Sequence, residues 1–433
     1  NRMPSKSSLA LALICALAML AGPTRAETYM AVIPAAMSNP TGPLSLEAAL
    51  DLALTANPEL SAATNELRAV EGAVIQAGLR PNPDISTSVE DTQNRATRST
   101  TVQLGQRLEL GGKRAARVAI AERGREVADA DLAARRLEVR AAVVGAFFDV
   151  LVAQERLQQT DDLVALAQRA TLAAARRVAA GKVSPVEETK ARVAEAAARI
   201  ELNQARADLV TTRKRLAATW GSTQPRLTPA EGRTEALPTL LSDDTLARRL
   251  ETAPALRRWR HEVDRMAAQA ELEKAKRIPN VTVSVGAKQV EELGRTQAVV
   301  GLSIPFPVFD RNQGNVLEAL RRADKARDEL RAAELRLGAD ATQNQERLKA
   351  LLADVRTLQR EILPGARSAY DAATKGFELG KFSFLEVLDA QRTFFQARAQ
   401  YLKSLSDAHR TAAELERVLG AITSPSSVMA DRL

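Results

Sequence analysis

The sequence repeats itself once, at a nearly constant spacing close to half its length. Asn57-Pro58-Glu59-Leu60 is matched by Ala253-Pro254-Ala255-Leu256, 196 residues on. Pro81-Asn82 and Ile85-Ser86 are matched by Pro279-Asn280 and Val283-Ser284 at a spacing of 198. Gly181-Lys182-Val183-Ser184 returns as Gly380-Lys381-Phe382-Ser383, and Trp220-Gly221 as Leu419-Gly420, both at 199. Each match is weak, but together, in one order, they imply a tandem duplication that commits the fold to two copies of one pattern. The first copy spans 44–221 and the second 243–422, joined by a linker at 222–242 rich in Pro, Thr and Gly. Residues 27–43 and 423–433 read as irregular ends.

Each copy reads as a helix, two strands and two long helices. The first helix of copy one starts near Ser45, a plausible N-cap, and Arg80-Pro81-Asn82-Pro83 stops it. Strands are predicted at 83–91 and 99–110, and at 281–289 and 297–306. In copy two, Val281, Val283, Val285 and Ala287 alternate with Thr282, Ser284, Gly286 and Lys288, and Ala298, Val300, Leu302 and Ile304 repeat the pattern. In copy one, Val102, Leu104, Leu108 and Leu110 do the same, with Gln106 interrupting the apolar row. A period of two puts one face in an apolar medium and the other in water. A soluble sheet packed on helices satisfies that pattern, and so does a membrane strand of about 9–11 residues. Four strands cannot close a barrel, so a barrel reading requires several chains.

Long helices are predicted at 113–180 and 184–220, and at 312–379 and 383–420. The first is a rod on the order of 100 Å. Leu137, Val144 and Leu151 recur at sevens, and Leu330, Leu337, Leu351 and Leu358 share one heptad position with Asn344 among them. Each pair of rods turns at a glycine, Gly181 or Gly380, far from the strands. Beyond Gly380, Ser383 and Glu386 have capping-box spacing, and Glu386 and Asp389 share a helix face. Ser184-Pro185-Val186-Glu187 repeats the device in copy one. Capping accounts for Glu386, and a solvated face accounts for Asp389. In a rotationally symmetric assembly, the same two acids would ring the narrow end of a tube, attracting cations and retarding anions.

Residues 1–26 have the anatomy of a secretory signal peptide: Arg2 and Lys6, an uncharged run from Leu9 to Leu20, then Thr24-Arg25-Ala26. Their removal takes away the single cysteine, Cys15, and lowers the formal charge from +8 to +5. Neither disulfides nor thiolate metal sites are then expected. Nucleic-acid binding would need clustered basic residues interleaved with aromatics, which the sequence lacks. His261 and His409 are the only histidines, far apart and outside any nucleophile motif, and they read as surface helix residues. No phosphate loop or dinucleotide fingerprint is present, so the chain is expected to be no enzyme and to need no cofactor. A metal-coordinating pore would show His, Cys or clustered Met, so no metal site is expected.

The duplicated unit, the segment Gly380 to Gln391 with its LEVLDAQ run, the weaker counterpart Val186 to Arg192, and Leu110-Gly111-Gly112-Lys113-Arg114 resemble the TolC-type outer membrane factors over residues 44 to 422. Pro305-Phe306-Pro307-Val308-Phe309-Asp310-Arg311-Asn312 is similar to the outer-membrane components of cobalt–zinc–cadmium efflux systems. The resemblance implies a mainly α fold with membrane β: a homotrimer pooling its strands into a 12-stranded β-barrel in outer-membrane lipid, continued by a long α-helical barrel. It places a periplasmic gate on Glu386 and Asp389 and a latch on Glu187, Phe377, Lys381 and Phe382, where Phe382 stands in place of a common basic residue. The turns Gly181, Lys182, Val183, Ser184 and Gly380, Lys381, Phe382, Ser383 would meet a periplasmic adaptor (membrane fusion protein) coupled to an inner-membrane resistance-nodulation-division pump. Heavy-metal export follows as the implied function. The alternatives are a channel for drugs or type I protein secretion, and a soluble periplasmic coiled-coil adaptor, which leaves the alternating strands unexplained.

Overall fold

The computed structural model describes residues 42–222, 229–232, 237–379 and 381–420. The chain divides into a unit at Asn1–Ser38, wholly outside the described residues, and a unit at Asn39–Leu433, to which everything below refers. The expected signal peptide at 1–26, most of 27–43, the tail at 423–433 and Gly380 lie outside the described residues.

Copy one runs α1 (Leu46–Ala56), α2 (Pro58–Gly78), β1 (Asp84–Glu90), β2 (Ser99–Leu108), α3 (Lys113–Ala179) and α4 (Pro185–Ala218). Copy two runs α5 (Asp243–Glu251), α6 (Pro254–Ala275), β3 (Val281–Val290), β4 (Arg295–Ser303), α7 (Gln313–Thr357), α8 (Leu363–Glu378) and α9 (Phe384–Leu419). The helix expected to run unbroken from Ser45 is two helices. Ser45 caps α1 at the Ala48 N–H, but Pro58 forces a break, and Asn57 caps α2 by accepting from the Glu59 and Leu60 N–H groups. The Asn57 amide also donates to the Thr219 carbonyl at 2.8 Å, so the break is tied to the end of α4.

All four strands form one antiparallel sheet in the order β1-β2-β3-β4. The register aligns Ile85, Leu104, Val285 and Val300 in one row across the sheet. That row is exposed, Val300 at 78%. The opposite face carries Ser88, Thr101, Lys288 and Gln297 in one row, and Lys288 bridges to Glu90 at 2.7 Å. Gln106, which interrupts the apolar row, turns its amide to the Pro81 carbonyl at 3.1 Å and the Arg107 carbonyl at 3.0 Å. The last strand ends at Ser303, short of the expected 306, because Pro305 has no N–H to continue a ladder. Among the described residues, both outer strands, β1 and β4, keep an unpaired edge.

The entry from strand to rod is alike in both copies. Gly112 (φ 75°) precedes α3, and Asn312 (φ 59°) precedes α7, each in the left-handed region that glycine and asparagine tolerate best. Asn312 also donates to both the backbone and the carboxylate of buried Glu273, at 2.8 and 3.0 Å, anchoring α7 on α6.

α3 is continuous for 67 residues, about 100 Å. The copy-two rod is not. A π-turn at Leu358–Ile362 separates α7 from α8, where Pro364 in the first turn of α8 cannot donate to the preceding turn. The heptad seam also differs from the expected one. Ala341, Gln345, Leu348, Leu352 and Val355, spaced four and three apart, are buried; of the expected row Leu358 is buried, while Leu330, Leu337 and Leu351 are half-buried. The buried polar position is thus Gln345 and not Asn344, and its amide reaches the Leu241 carbonyl.

α3 packs against α2, α4, α6 and α9, and α7 packs against α6 and α9. The described helices therefore form a wall, with α2 and α4 at one margin and α7 at the other. Along the α4 margin Val186, Val193 and Ile200, seven residues apart, are exposed. The main core surrounds Phe147, Val143 and Leu151 of α3, with Leu44, Trp220 and Ala230. The described part of the linker is strapped into it. Leu44 and Ala230 form a parallel bridge, and the Gln154 side chain pairs with both backbone groups of Ala230 at 3.0 and 2.8 Å.

Candidate functional site

The free ends of the two hairpins hold most of the residues singled out in the sequence. At the first, α3 closes on Gly181 (φ 68°), whose N–H reaches the Val178 carbonyl at 2.9 Å, while Lys182 N–H reaches Arg177 at 2.9 Å. This two-bond closure satisfies carbonyls that the helix end would leave open. Gly181, Lys182 and Ser184 are exposed and Val183 is half-buried. Ser184 caps α4 through the Val186 N–H at 3.4 Å. The expected repeat of the capping box is incomplete here, because Glu187 sends no bond back to the Ser184 N–H; only its own N–H contacts the Ser184 carbonyl, at 3.0 Å. The half-buried Glu187 side chain forms no ion pair among the described residues.

At the second tip the Lys381 and Phe382 N–H groups both reach the Gly376 carbonyl, at 2.8 and 3.2 Å. The Phe382 ring lies so close over Gly376 that a Cβ there would overlap it. Ser383 and Glu386 form the complete capping box: the Ser383 N–H donates to Glu386 Oε2 at 2.6 Å and the Glu386 N–H to Ser383 Oγ at 3.3 Å. Glu386 and Asp389 are both exposed on the same side of α9. One oxygen of Glu386 is thus occupied by its own helix, and the carboxylate still presents its charge outward.

The two tips touch through a contact that sequence reasoning missed. The Arg177 guanidinium sits 4.4 Å over the Phe377 ring and donates to the Phe377 carbonyl at 3.3 Å. Phe377 and Leu388 pack against Ala170, Ala174 and Ala191 of the first hairpin. Of the latch candidates, the structure brings Phe377 against the first hairpin, whereas Lys381 and Phe382 stay exposed and Glu187 meets neither. The one available signal for Arg177 was its place in the last turn of α3, where a cation suits the helix terminus.

The histidines are not on the open surface. His409 is half-buried with its ring stacked on Phe148 at 3.7 Å, and His261 is half-buried with Nδ1 3.2 Å from Glu126. The Phe148 ring covers His409 and Glu126 lies beside His261, contacts that sequence spacing did not reveal. Among the described residues, no group of three or more His, Cys, Asp or Glu is placed to hold a metal ion, and no helix is long and apolar enough to cross a membrane.

A family model described as outer membrane efflux protein matches residues 49–222 and 245–421. The chain is 46% identical over 396 residues to the cobalt-zinc-cadmium resistance protein CzcC of Cupriavidus metallidurans, covering 92% of this chain and 94% of that one. It is 26% identical to the nickel-cobalt-cadmium resistance protein NccC of Alcaligenes xylosoxydans xylosoxydans, covering 67% of each. Among solved structures, CusC superposes with a TM-score of 0.74 at 18% identity, over 87% of this chain and 92% of that one. The open state of the Neisseria gonorrhoeae MtrE outer membrane channel superposes with a TM-score of 0.73 at 21% identity, over 87% and 89%.

Proposed function

The chain belongs to the outer membrane efflux protein family, and from that premise we propose that it is the outer-membrane channel subunit of a tripartite, proton-driven system exporting cobalt, zinc and cadmium. The observation that carries the channel reading is the sheet. Its apolar row Ile85, Leu104, Val285, Val300 is exposed, its other face is polar, and both edges are open. An exposed apolar sheet face suits lipid, and unpaired edges in lipid are costly unless the sheet closes. Closure requires further copies of the chain, and a homotrimer would supply twelve strands.

The helical wall supports the same assembly. The β1, α2 and α4 margin and the β4 and α7 margin lie at opposite sides, so one repeated head-to-tail contact closes sheet and tube together. Exposed Val186, Val193 and Ile200 give α4 a seam for the neighbouring chain. Export of the chain would use residues 1–26 as its signal.

In the trimer, Glu386 and Asp389 would be present three times each at the far end of the tube, a ring that favours cations. Phe377 and Arg177 would hold the tips together, with Lys381, Phe382 and Glu187 at the margin of that contact. The turns Gly181 to Ser184 and Lys381 to Ser383, with Gly380 between the rods, would receive the periplasmic adaptor and, through it, the inner-membrane pump. The chain would act without catalysis, by shape and charge. The metal assignment rests on the named relatives, because the ring acids attract cations without choosing among them; selection would lie in the pump.

Gene deletion followed by growth on zinc, cobalt, cadmium and hydrophobic drugs tests the reading. Loss of metal tolerance with drug tolerance kept is the expected result, and loss of drug tolerance alone would overturn the metal assignment. Recovery of the chain from the soluble periplasm would overturn the channel itself.

A further inference from the structure

Gln391 is 1% exposed, the lowest value of any described polar side chain. Its amide oxygen and nitrogen are both sealed from solvent, and neither has a hydrogen-bond partner among the described residues. Buried amides in native proteins are nearly always paired, so a doubly unpaired one marks stored strain. At about 100° per residue, Gln391 lies on the far side of α9 from the exposed Asp389 and shares its side with buried Val387. Its place in the duplicated unit is held in copy one by Arg192, which is exposed and pairs with Glu188. One position is thus solvated in the first hairpin and sealed in the second. No neighbouring chain can reach the Gln391 amide in this arrangement, because it has no accessible surface.

The same hairpin is jointed. The π-turn at Leu358–Ile362 interrupts the copy-two rod, whereas α3 runs unbroken. Below that joint α8 packs extensively on α9 alone. It meets the first hairpin through the Arg177–Phe377 contact and the seating of Phe377 on three alanines, where Leu388 of α9 also packs, and Tyr370 faces Asp162 and Arg169 of α3. A rod segment with a joint above and few ties below can move without disturbing the core.

We propose that Gln391 is a positioning residue of the gate. Its unpaired amide holds the packed tip short of full stability, so α8 turns readily about the Leu358–Ile362 joint and uncovers Gln391 on the unbroken α9, where the amide is hydrated. An apolar residue of similar length would remove the strain from the packed state and shift the balance towards closure. This inference rests on reading the tip as the gate.

The test uses the purified full chain in planar bilayers, with Gln391→Met, Gln391→Leu and, as a solvated control, Arg192→Met. Open probability is expected to fall about tenfold in the Gln391 variants, with the thermal midpoint of the assembly raised and Arg192→Met altering neither. Unchanged opening in both Gln391 variants overturns the proposal, as does a lowered thermal midpoint or failed assembly in both, or an equal effect from Arg192→Met. Failure of the gate reading is told apart by a variant with both tip acids neutralised. If that variant still alters ion selectivity while the Gln391 variants do nothing, only the role of Gln391 falls.

Discussion

Arg410 on α9 holds Asp149 on α3 through one nitrogen, its Nη2 lying 2.6 Å from each carboxylate oxygen. Ser406 adds a bond to the same carboxylate at 3.3 Å, and the arginine stem lies across Gly145, so the two copies are joined at mid-rod by charge and by packing. Arg410→Ala should lower stability by ~1 kcal/mol, the upper range for a half-exposed pair. Chemical denaturation of the purified assembly measures it, with a smaller loss expected at high salt.

The tip acids can be separated from their helix-capping role. Glu386→Gln keeps a side chain able to accept from the Ser383 N–H, so with Asp389→Asn it removes charge and spares the capping box. Bilayer recordings should then show weaker preference for cations over anions and unchanged thermal stability. Glu386→Ala should in addition cost ~1 kcal/mol in stability through the lost cap. Unchanged selectivity in the double variant would leave Glu386 as a cap only.

Glu273, buried at the end of α6, gives acid sensitivity of a stated sign. Burial alone would raise its pKa, but bonds from Lys276, Asn312 and Gln269 outweigh it and hold the carboxyl below the ordinary 4.5. A depressed pKa in the folded state gives stability that is present above pH 4.5 and is lost as pH falls through the lower folded value. Thermal melts of wild type from pH 6 to pH 3, about the range where carboxylates titrate, should show a steeper acid-side decline than Glu273→Gln. Parallel curves for the two would refute the coupling.

Phe306 and Phe309 are 88% and 91% exposed just past β4, on a chain with few aromatics. Next to an apolar sheet face they suit the interface at the barrel rim. Phe306→Ser with Phe309→Ser should lower the heat stability of the membrane-embedded assembly, by up to about 2 kcal/mol for each ring. Semi-native gel electrophoresis after graded heating reads this out.

Much of the plan was legible because it is written in period and repetition. The alternation of Val281 to Ala287 with polar residues follows directly from a pleat with two different surroundings. The capping box at Ser383 and Glu386 is a local device, complete within four residues, and it was readable for that reason. The break at Asn57 was written in the sequence as well, since Pro58 was in view, but the tie from Asn57 to Thr219 spans the whole copy. The seam through Gln345, Leu348 and Leu352 could not be chosen over the row of Leu330, Leu337, Leu351 and Leu358, of which only Leu358 is buried. Alanine-rich helices offer several apolar stripes, and the partner helix selects one.

The sequence by itself determined the duplicated unit, the two-faced strands, the long rods and their glycine turns, because each depends on residues near one another in the chain. Only the tertiary structure decided which tip residues meet. It set Arg177 on Phe377, left Glu187 without a cation among the described residues, and sealed Gln391 where its twin Arg192 is solvated. Those outcomes depend on how two hairpins of one plan but different side chains stack. Stacking makes one side of each inequivalent to its twin, an asymmetry that no property of either copy's own sequence periodicity contains.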